Sequence, residues 1–263
     1  MLPTPSTSHV SFSNIYEPAE DSFLLLDTLS SKSEVEFLQS RLDGAAPMPH
    51  GCPLAVEIGT GSGVILAFLT TNALAIFGRA DVMTVGTDVN LFACQASRRT
   101  VLEAVSTSNA AAGRDASMAS PLFLDTVMAD LGSVLRCGAV DVLVFNPPYV
   151  PTDDVPALQP DTWNGYGLGK VHSSCEQDSH LLSLSYAGGV DGMATTQRLI
   201  DNVPALLSAR GVAYILLCAQ NHPDAVISQI RAWGNGWKVE TAGRSGKQAG
   251  WERLQVLRIW RIH

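Results

Sequence analysis

The chain has 263 residues, with 17 Lys plus Arg against 25 Asp plus Glu and a formal net charge of −8. Hydrophobic residues make up 46% and charged residues 16%, which excludes a disordered chain and leaves room for one large domain or two small ones. The acidic balance weighs against a surface that coats nucleic acid, since that requires basic side chains that displace counterions from phosphates.

Residues 1–14 read as a flexible leader, rich in Pro, Ser and Thr and without the basic-then-apolar pattern of a secretory signal. A helix is predicted over 18–29, with Pro18 at its start, Glu20 and Asp21 in the first turn, and Phe23, Leu24, Leu25, Leu26 and Leu29 on an apolar side. A polar connection with Pro47, Pro49 and Pro53 follows. From residue 54 short apolar runs alternate with helical stretches, the pattern of a parallel sheet covered on both faces. Strands are predicted over 54–58, 82–87, 122–128, 140–145 and 212–218, and helices over 64–71, 91–105, 194–207 and 224–233. The stretches 237–241 and 254–260 alternate and suit a hairpin at one sheet edge. The fold class is therefore α/β, doubly wound and Rossmann-like, in one domain over 15–263. Residues 106–120 read as a surface insertion, and 150–183, with three Pro and several Gly, as a lid or binding loop. The five cysteines are scattered without a CxxC pair, which suits reduced thiols in a soluble intracellular protein, cytoplasmic and also nuclear. His172 and Cys175 form an isolated HxxC with too few ligands for zinc, so no metal is expected.

Four strand ends carry chemistry. Glu57-Ile58-Gly59-Thr60-Gly61-Ser62-Gly63 lies between a strand and a helix, where glycines let a ligand approach the backbone. The dinucleotide spacing GxGxxG is not met, and an acid at the strand end suits a ligand with an ammonium group. Asp88 ends the next strand, placed to accept both hydroxyls of a ribose, while Asn90 is the better cap for the helix that follows. Asp130-Leu131 stands past the third strand, level with an adenine. Asn146-Pro147-Pro148-Tyr149 ends the fourth. Its prolines remove two N–H donors and hold the backbone extended. With the Asn146 oxygen beside the prolines' carbonyl oxygens, the site can grip both hydrogens of a planar NH2 group, and Tyr149 adds an aromatic face.

These loops resemble the S-adenosylmethionine-dependent methyltransferases that act on amino groups attached to sp2 carbon. Tyr16-Glu17-Pro18-Ala19-Glu20-Asp21-Ser22-Phe23, Val144 to Val150 and Ala187-Gly188-Gly189-Val190-Asp191-Gly192 narrow the resemblance to eukaryotic HemK-type glutamine methyltransferases of class-I translation release factors. Weaker similarity runs through Val203-Pro204, Leu206-Leu207 and Gly211 to Lys247-Gln248-Ala249-Gly250 and Val256-Leu257-Arg258. The resemblance implies a class I methyltransferase sheet, S-adenosylmethionine as cofactor and S-adenosylhomocysteine as product. It implies that Tyr16 and Ser22 close over the cofactor, that Glu57, Gly59 and Gly61 line its methionine and ribose side, and that Asp88 holds the ribose diol. It places Asp130 and Leu131 at the adenine, and Asn146, Pro147, Pro148 and Tyr149 around the substrate, with Asn146 bridging it to the cofactor. A small zinc-binding activating subunit is implied as partner, with Leu122 to Met128 as the edge strand it would pair with.

Adenine-N6 methylation of nucleic acid shares the Asn-Pro-Pro-Tyr requirement, but the two long loops contain only Arg114 and Lys170 as basic residues. Lysine or small-molecule methylation lacks a group to deprotonate an ammonium. A scaffold that only binds the cofactor has no need of Asn146 to Tyr149.

Overall fold

The computed structural model describes residues 2–42, 51–111, 122–157, 175–246 and 253–262. Among them are seven strands, β1 (Leu54–Ile58), β2 (Met83–Asp88), β3 (Leu122–Met128), β4 (Val140–Phe145), β5 (Leu207–Cys218), β6 (Trp237–Arg244) and β7 (Leu254–Arg261). They form one sheet in the order β3-β2-β1-β4-β5-β7-β6. The first five run parallel, and β7 is antiparallel to both β5 and β6. The architecture is the expected α/β, doubly wound and mostly parallel sheet with an antiparallel edge hairpin. Within that hairpin the last strand takes the inner place. β7 carries Leu254, Val256, Leu257 and Ile259, all buried, whereas β6 exposes Lys238, Glu240 and Arg244 along the edge.

Alternation along the central strands divides the core in two. Ala55, Val142, Val144, Val212 and Tyr214 face one side, and Val56, Leu143, Phe145, Ala213 and Ile215 the other. Helices α1 (Glu20–Ser30), α2 (Lys32–Leu42), α3 (Val64–Thr71) and α4 (Ala73–Phe77) contribute Leu25, Leu38, Phe68 and Ile76 to the first side. Further along the chain come α5 (Leu91–Ala111), α6 (Cys175–Tyr186), α7 (Ala194–Leu206) and α8 (Pro223–Arg231). Of these, α7 and α8 cover the second side with Leu199, Val203, Val226 and Ile230. Burial of both faces is why these strands read as unbroken apolar runs.

Besides α4, an unexpected helix, and β5, which begins at Leu207 rather than at residue 212, four stretches differ from expectation. The connection after α1 contains the helix α2, whose inward face carries Glu34, Leu38 and Leu42. A carboxylate at a core position conceals the apolar stripe. The stretch expected as an insertion from residue 106 is still helical to Ala111, and residues 112–120 lie outside the described residues. The expected lid contains α6, in which only Leu181 is fully buried, so its periodicity is faint; residues 158–174, with His172 and Lys170, lie outside the described residues. So do Arg114, Pro47, Pro49 and Lys247 to Gly250. The leader packs against the domain: Val10 joins Ile15 and Ala93 in a small cluster, and His9 Nε2 lies 3.3 Å from Thr100 Oγ1. Its few apolar residues found a complementary groove along α5.

The buried Glu34 explains how α2 is held. Its carboxylate accepts from Arg258 Nη1 at 2.8 Å and from the Tyr214 hydroxyl at 2.8 Å. The Arg258 guanidinium also stacks on the Phe37 ring, 3.9 Å from its centroid. Burial, and the neighbouring carboxylate, push the Tyr214 phenol well above its ordinary range and keep it a donor. Removing the guanidinium leaves the Glu34 carboxylate buried with only the Tyr214 hydroxyl and no charge to balance it. Arg258→Met is expected to destabilise the fold by about 3 kcal/mol in urea unfolding. An unchanged midpoint would show that the network carries no stability.

Candidate active site

β1 and β4 lie side by side with Glu57 opposite Val144 and Ile58 opposite Phe145, so the loops that follow them leave the sheet at one level. The chain builds outward from β1 to β3 and then returns to β4 on the far side of β1. The crevice at such a reversal is where open α/β sheets bind ligands. A cavity of about 350 Å³ occupies it, and Tyr16, Ser22, Glu57, Gly59, Gly61, Asp88, Asp130, Leu131, Asn146, Pro147, Pro148 and Tyr149 all line it. These twelve residues, from five stretches of the chain, are therefore brought to one place.

The loop after β1 is held by its own neighbours. Gly59 N–H donates to Thr87 O at 2.7 Å, and Gly61 N–H to Asp88 Oδ2 at 2.9 Å. Gly63 turns the chain into α3 at φ +80°, where a Cβ would stand 2.5 Å from Ser97 Cα, so α5 can pack closely only against glycine. Glu57, on the α3 side of the sheet, accepts from Leu66 N–H at 2.8 Å and so caps the first turn of α3. Burial nonetheless raises its carboxyl well above the usual range, and the nearby Asp88 adds to the shift. The Asp88 carboxyl is also raised by burial, against hydrogen bonds from Gly61 and Asn90 that lower it. Asn90 Oδ1 accepts from Phe92 N–H at 2.9 Å, the helix cap expected of it, and leaves Asp88 directed at the cavity.

On the other side of the crevice, Leu131 sits in the left-handed region at φ +50°, its carbonyl accepting from the Thr87 hydroxyl at 3.0 Å. One oxygen of Asp130 is paired with Arg198 of α7 at 2.5 Å. The Asn-Pro-Pro-Tyr backbone is clamped from behind. Asn221, fully buried, donates to Tyr149 O at 3.0 Å and to Asp191 O at 2.8 Å. Gly192, at φ +67°, lies so close to the Tyr149 carbonyl that a Cβ there would collide with it. The Gly188 to Gly192 motif thus presses the Asn-Pro-Pro-Tyr loop into shape.

Sequence reasoning missed four contributors. Asp21, assigned to the helix dipole, turns inward and is 2% exposed. Asn14 donates to Asp178 of α6 at 2.7 Å, and its carbonyl accepts from Asn90 at 2.8 Å, joining leader, lid helix and ribose loop. Arg198 and Asn221 come from elements far along the chain. Only Asp21 left a signal, its spacing from Leu25 and Leu29 on the inward face of α1.

No protein-family model matches the chain. The eRF1 methyltransferase catalytic subunit mtq2 of Schizosaccharomyces pombe is 31% identical over 268 residues, covering 100% of this chain and 97% of that protein. Methyltransferase HEMK2 of Mus musculus is 32% identical, covering 98% and 96%. The chain belongs to the HemK-type methyltransferase family. Among solved structures, an rRNA methylase from Streptococcus thermophilus aligns with a TM-score of 0.42 at 12% identity, over 88% of this chain and 95% of that one.

This HemK-type enzyme uses S-adenosylmethionine, and the cavity fits it. The buried Glu57 carboxylate and the half-buried Asp88 carboxylate suit an ammonium and a ribose diol, and the Thr60 hydroxyl and Asn146 Oδ1 are buried without a partner among the described residues. The raised Glu57 carboxyl has a measurable consequence. Below that raised pKa the carboxyl is protonated and an incoming ammonium would expel the proton, so cofactor binding should release a proton there and none well above it. Calorimetry in buffers of different ionisation enthalpy should show this release, and Glu57→Gln should abolish it. Asp88→Ala should weaken cofactor binding roughly 10- to 100-fold, the loss of hydrogen bonds to a charged group; unchanged affinity would remove the ribose role.

Proposed function

We propose that this enzyme methylates the side-chain amide nitrogen of the glutamine in the Gly-Gly-Gln tip of a class-I translation release factor. The observation that carries this reading is Asn146 Oδ1, buried and without a protein partner beside the Pro-Pro backbone in the cavity. The name of the fission yeast relative, an eRF1 methyltransferase subunit, supports it. Bound S-adenosylmethionine supplies a methyl group on a sulfonium that leaves as a neutral thioether, so no covalent enzyme intermediate is needed. The harder problem is the nucleophile, because an amide lone pair is delocalised into its carbonyl. Asn146 Oδ1 and the Pro147 carbonyl accept the two amide hydrogens, orient the nitrogen, and favour the positive charge it gains as the N–C bond forms. The proton that nitrogen then sheds leaves to water, and no side-chain base is required.

Asn146→Ala should lower turnover by roughly 10²- to 10³-fold while cofactor affinity stays nearly intact. Mass spectrometry of a Gly-Gly-Gln-containing release factor after incubation with enzyme and cofactor reads this directly. A variant that methylates at the normal rate would sink the assignment.

The same reading includes a small zinc-binding activating subunit on β3. Its support is the contrast between the two sheet edges. β6 is guarded by charged side chains, whereas β3 presents Leu122, Leu124 and Val127 at 40%, 55% and 39% exposure, with Asp125 turned aside to Arg98. An apolar edge left open invites a paired strand from another chain. Leu124→Lys should abolish co-purification with the co-expressed subunit and reduce soluble yield; a monodisperse, fully active lone chain would contradict the partner.

A further inference from the structure

Asp21 has no place in the cofactor contacts or in the grip on the substrate described above, yet it is among the most completely enclosed polar side chains of the cavity wall, at 2% exposure. Its two oxygens face different elements. Oδ1 accepts from Ser22 N–H at 2.6 Å and from the Ser22 hydroxyl at 3.3 Å, within the first turn of α1. Oδ2 accepts from Asn146 Nδ2 at 3.1 Å and from the Tyr149 hydroxyl at 3.5 Å. One carboxylate therefore joins the N-terminal helix to both ends of the Asn-Pro-Pro-Tyr loop. A solvated acid in the first turn of a helix serves the dipole; an enclosed one with four donors around it serves those donors.

The chemistry of an amide explains what this contact decides. The two ends of the Asn146 side chain are nearly the same in size but opposite in polarity, so turning the amide over costs little unless a neighbour distinguishes oxygen from nitrogen. A carboxylate accepts and does not donate, so only the NH2 end can face Asp21. The oxygen is thereby turned the other way, where it lies buried and without a partner among the described residues, in a side chain of the cavity wall. A substrate amide brings two N–H donors to that spot. If Asn146 were turned over, NH2 would meet NH2, and the nitrogen to be methylated would be repelled from its reactive position.

We infer that Asp21 is a positioning residue for methyl transfer, fixing the Asn146 amide and the Tyr149 ring so that Asn146 Oδ1 faces the substrate nitrogen. The inference rests on the reaction proposed above for the same cavity. Its negative charge acts in the same direction, since the nitrogen becomes positive as the new bond forms.

The test uses Asp21→Asn, which preserves size and the contact to Ser22 N–H but sets an NH2 group against Asn146. The enzyme, purified with its co-expressed partner, is assayed on a Gly-Gly-Gln peptide, with S-adenosylhomocysteine affinity measured by calorimetry. Turnover should fall about 10²-fold, as for a reacting group misplaced by about 1 Å. Cofactor affinity should stay within about threefold, because no cofactor-binding group has been removed. The reciprocal pair, Asp21→Asn with Asn146→Asp, again sets a donor against an acceptor and points an oxygen into the cavity; it should recover about tenfold or more of the lost turnover. A purely structural role for Asp21 predicts no such recovery. Independently of activity, the side-chain amide signals of Asn146 in a nitrogen-15 NMR spectrum, assigned by their absence from Asn146→Ala, should shift in Asp21→Asn while the backbone spectrum of β1 and β4 is retained. Unchanged amide signals, wild-type turnover in the single variant, or no recovery in a folded, cofactor-binding double variant would each overturn the inference. A wild-type enzyme inert on the peptide would instead overturn the substrate assignment, and the NMR comparison would still decide the role of Asp21.

Discussion

Everything in the active site depends on the parallel pairing of β1 with β4. The register that sets Ile58 against Phe145 brings the glycine loop and the Asn-Pro-Pro-Tyr loop out of the sheet together, though they are nearly ninety positions apart in the chain. Because both faces of the two strands are packed with aliphatic side chains, a slip of one residue would exchange the two cores, so the register is strongly defined. The glycine loop and the Asn-Pro-Pro-Tyr loop thereby leave the sheet from buried strands whose close packing holds them rigid. Chemistry that relies on orientation rather than on an acid or base needs that rigidity.

Around this pairing the cavity gathers three carboxylates, Glu57 and Asp21 enclosed and Asp88 half-buried. Glu57 caps α3 and lines the cavity. Asp88 ties down the glycine loop and lines the cavity beside it. Asp21 faces Asn146 and Tyr149. Each one's protein hydrogen bonds orient it, and the shared low-dielectric setting makes each effective toward a cationic or donor-rich ligand. The net charge of −8 thus has a local counterpart in the site. An acidic interior suits a sulfonium cofactor and an amide donor, and it does not suit a phosphate backbone.

The two edges of the sheet are finished differently. At one, the terminal hairpin covers β5 and ends in a charged outer strand. At the other, β3 ends the sheet with exposed aliphatic side chains. The leader closes the nearby flank of α5, with His9 alongside Thr100, and Asn14 carries the connection on to α6 and the cavity rim. Residues at the start of the chain are thus part of the wall of a site built mainly from strands at its centre.

By itself the sequence determined the alternation of strands and helices, since apolar runs bounded by glycine and proline carry their own period, and β1, β3, β4 and α3 have the expected bounds. Twelve of the residues that line the cavity were also legible: ten stand at or just past strand ends, and Tyr16 and Ser22 came from the family resemblance. Elements with weak or masked periodicity were not legible. The core position of Glu34 hides α2, and the single fully buried residue of α6 gives it no stripe. Nor could sequence assign Asp21, Asn221 or Arg198, whose roles lie in partners 125, 72 and 68 positions away. A polar side chain's role depends on which donor or acceptor packing places opposite it, and only the tertiary structure decides that.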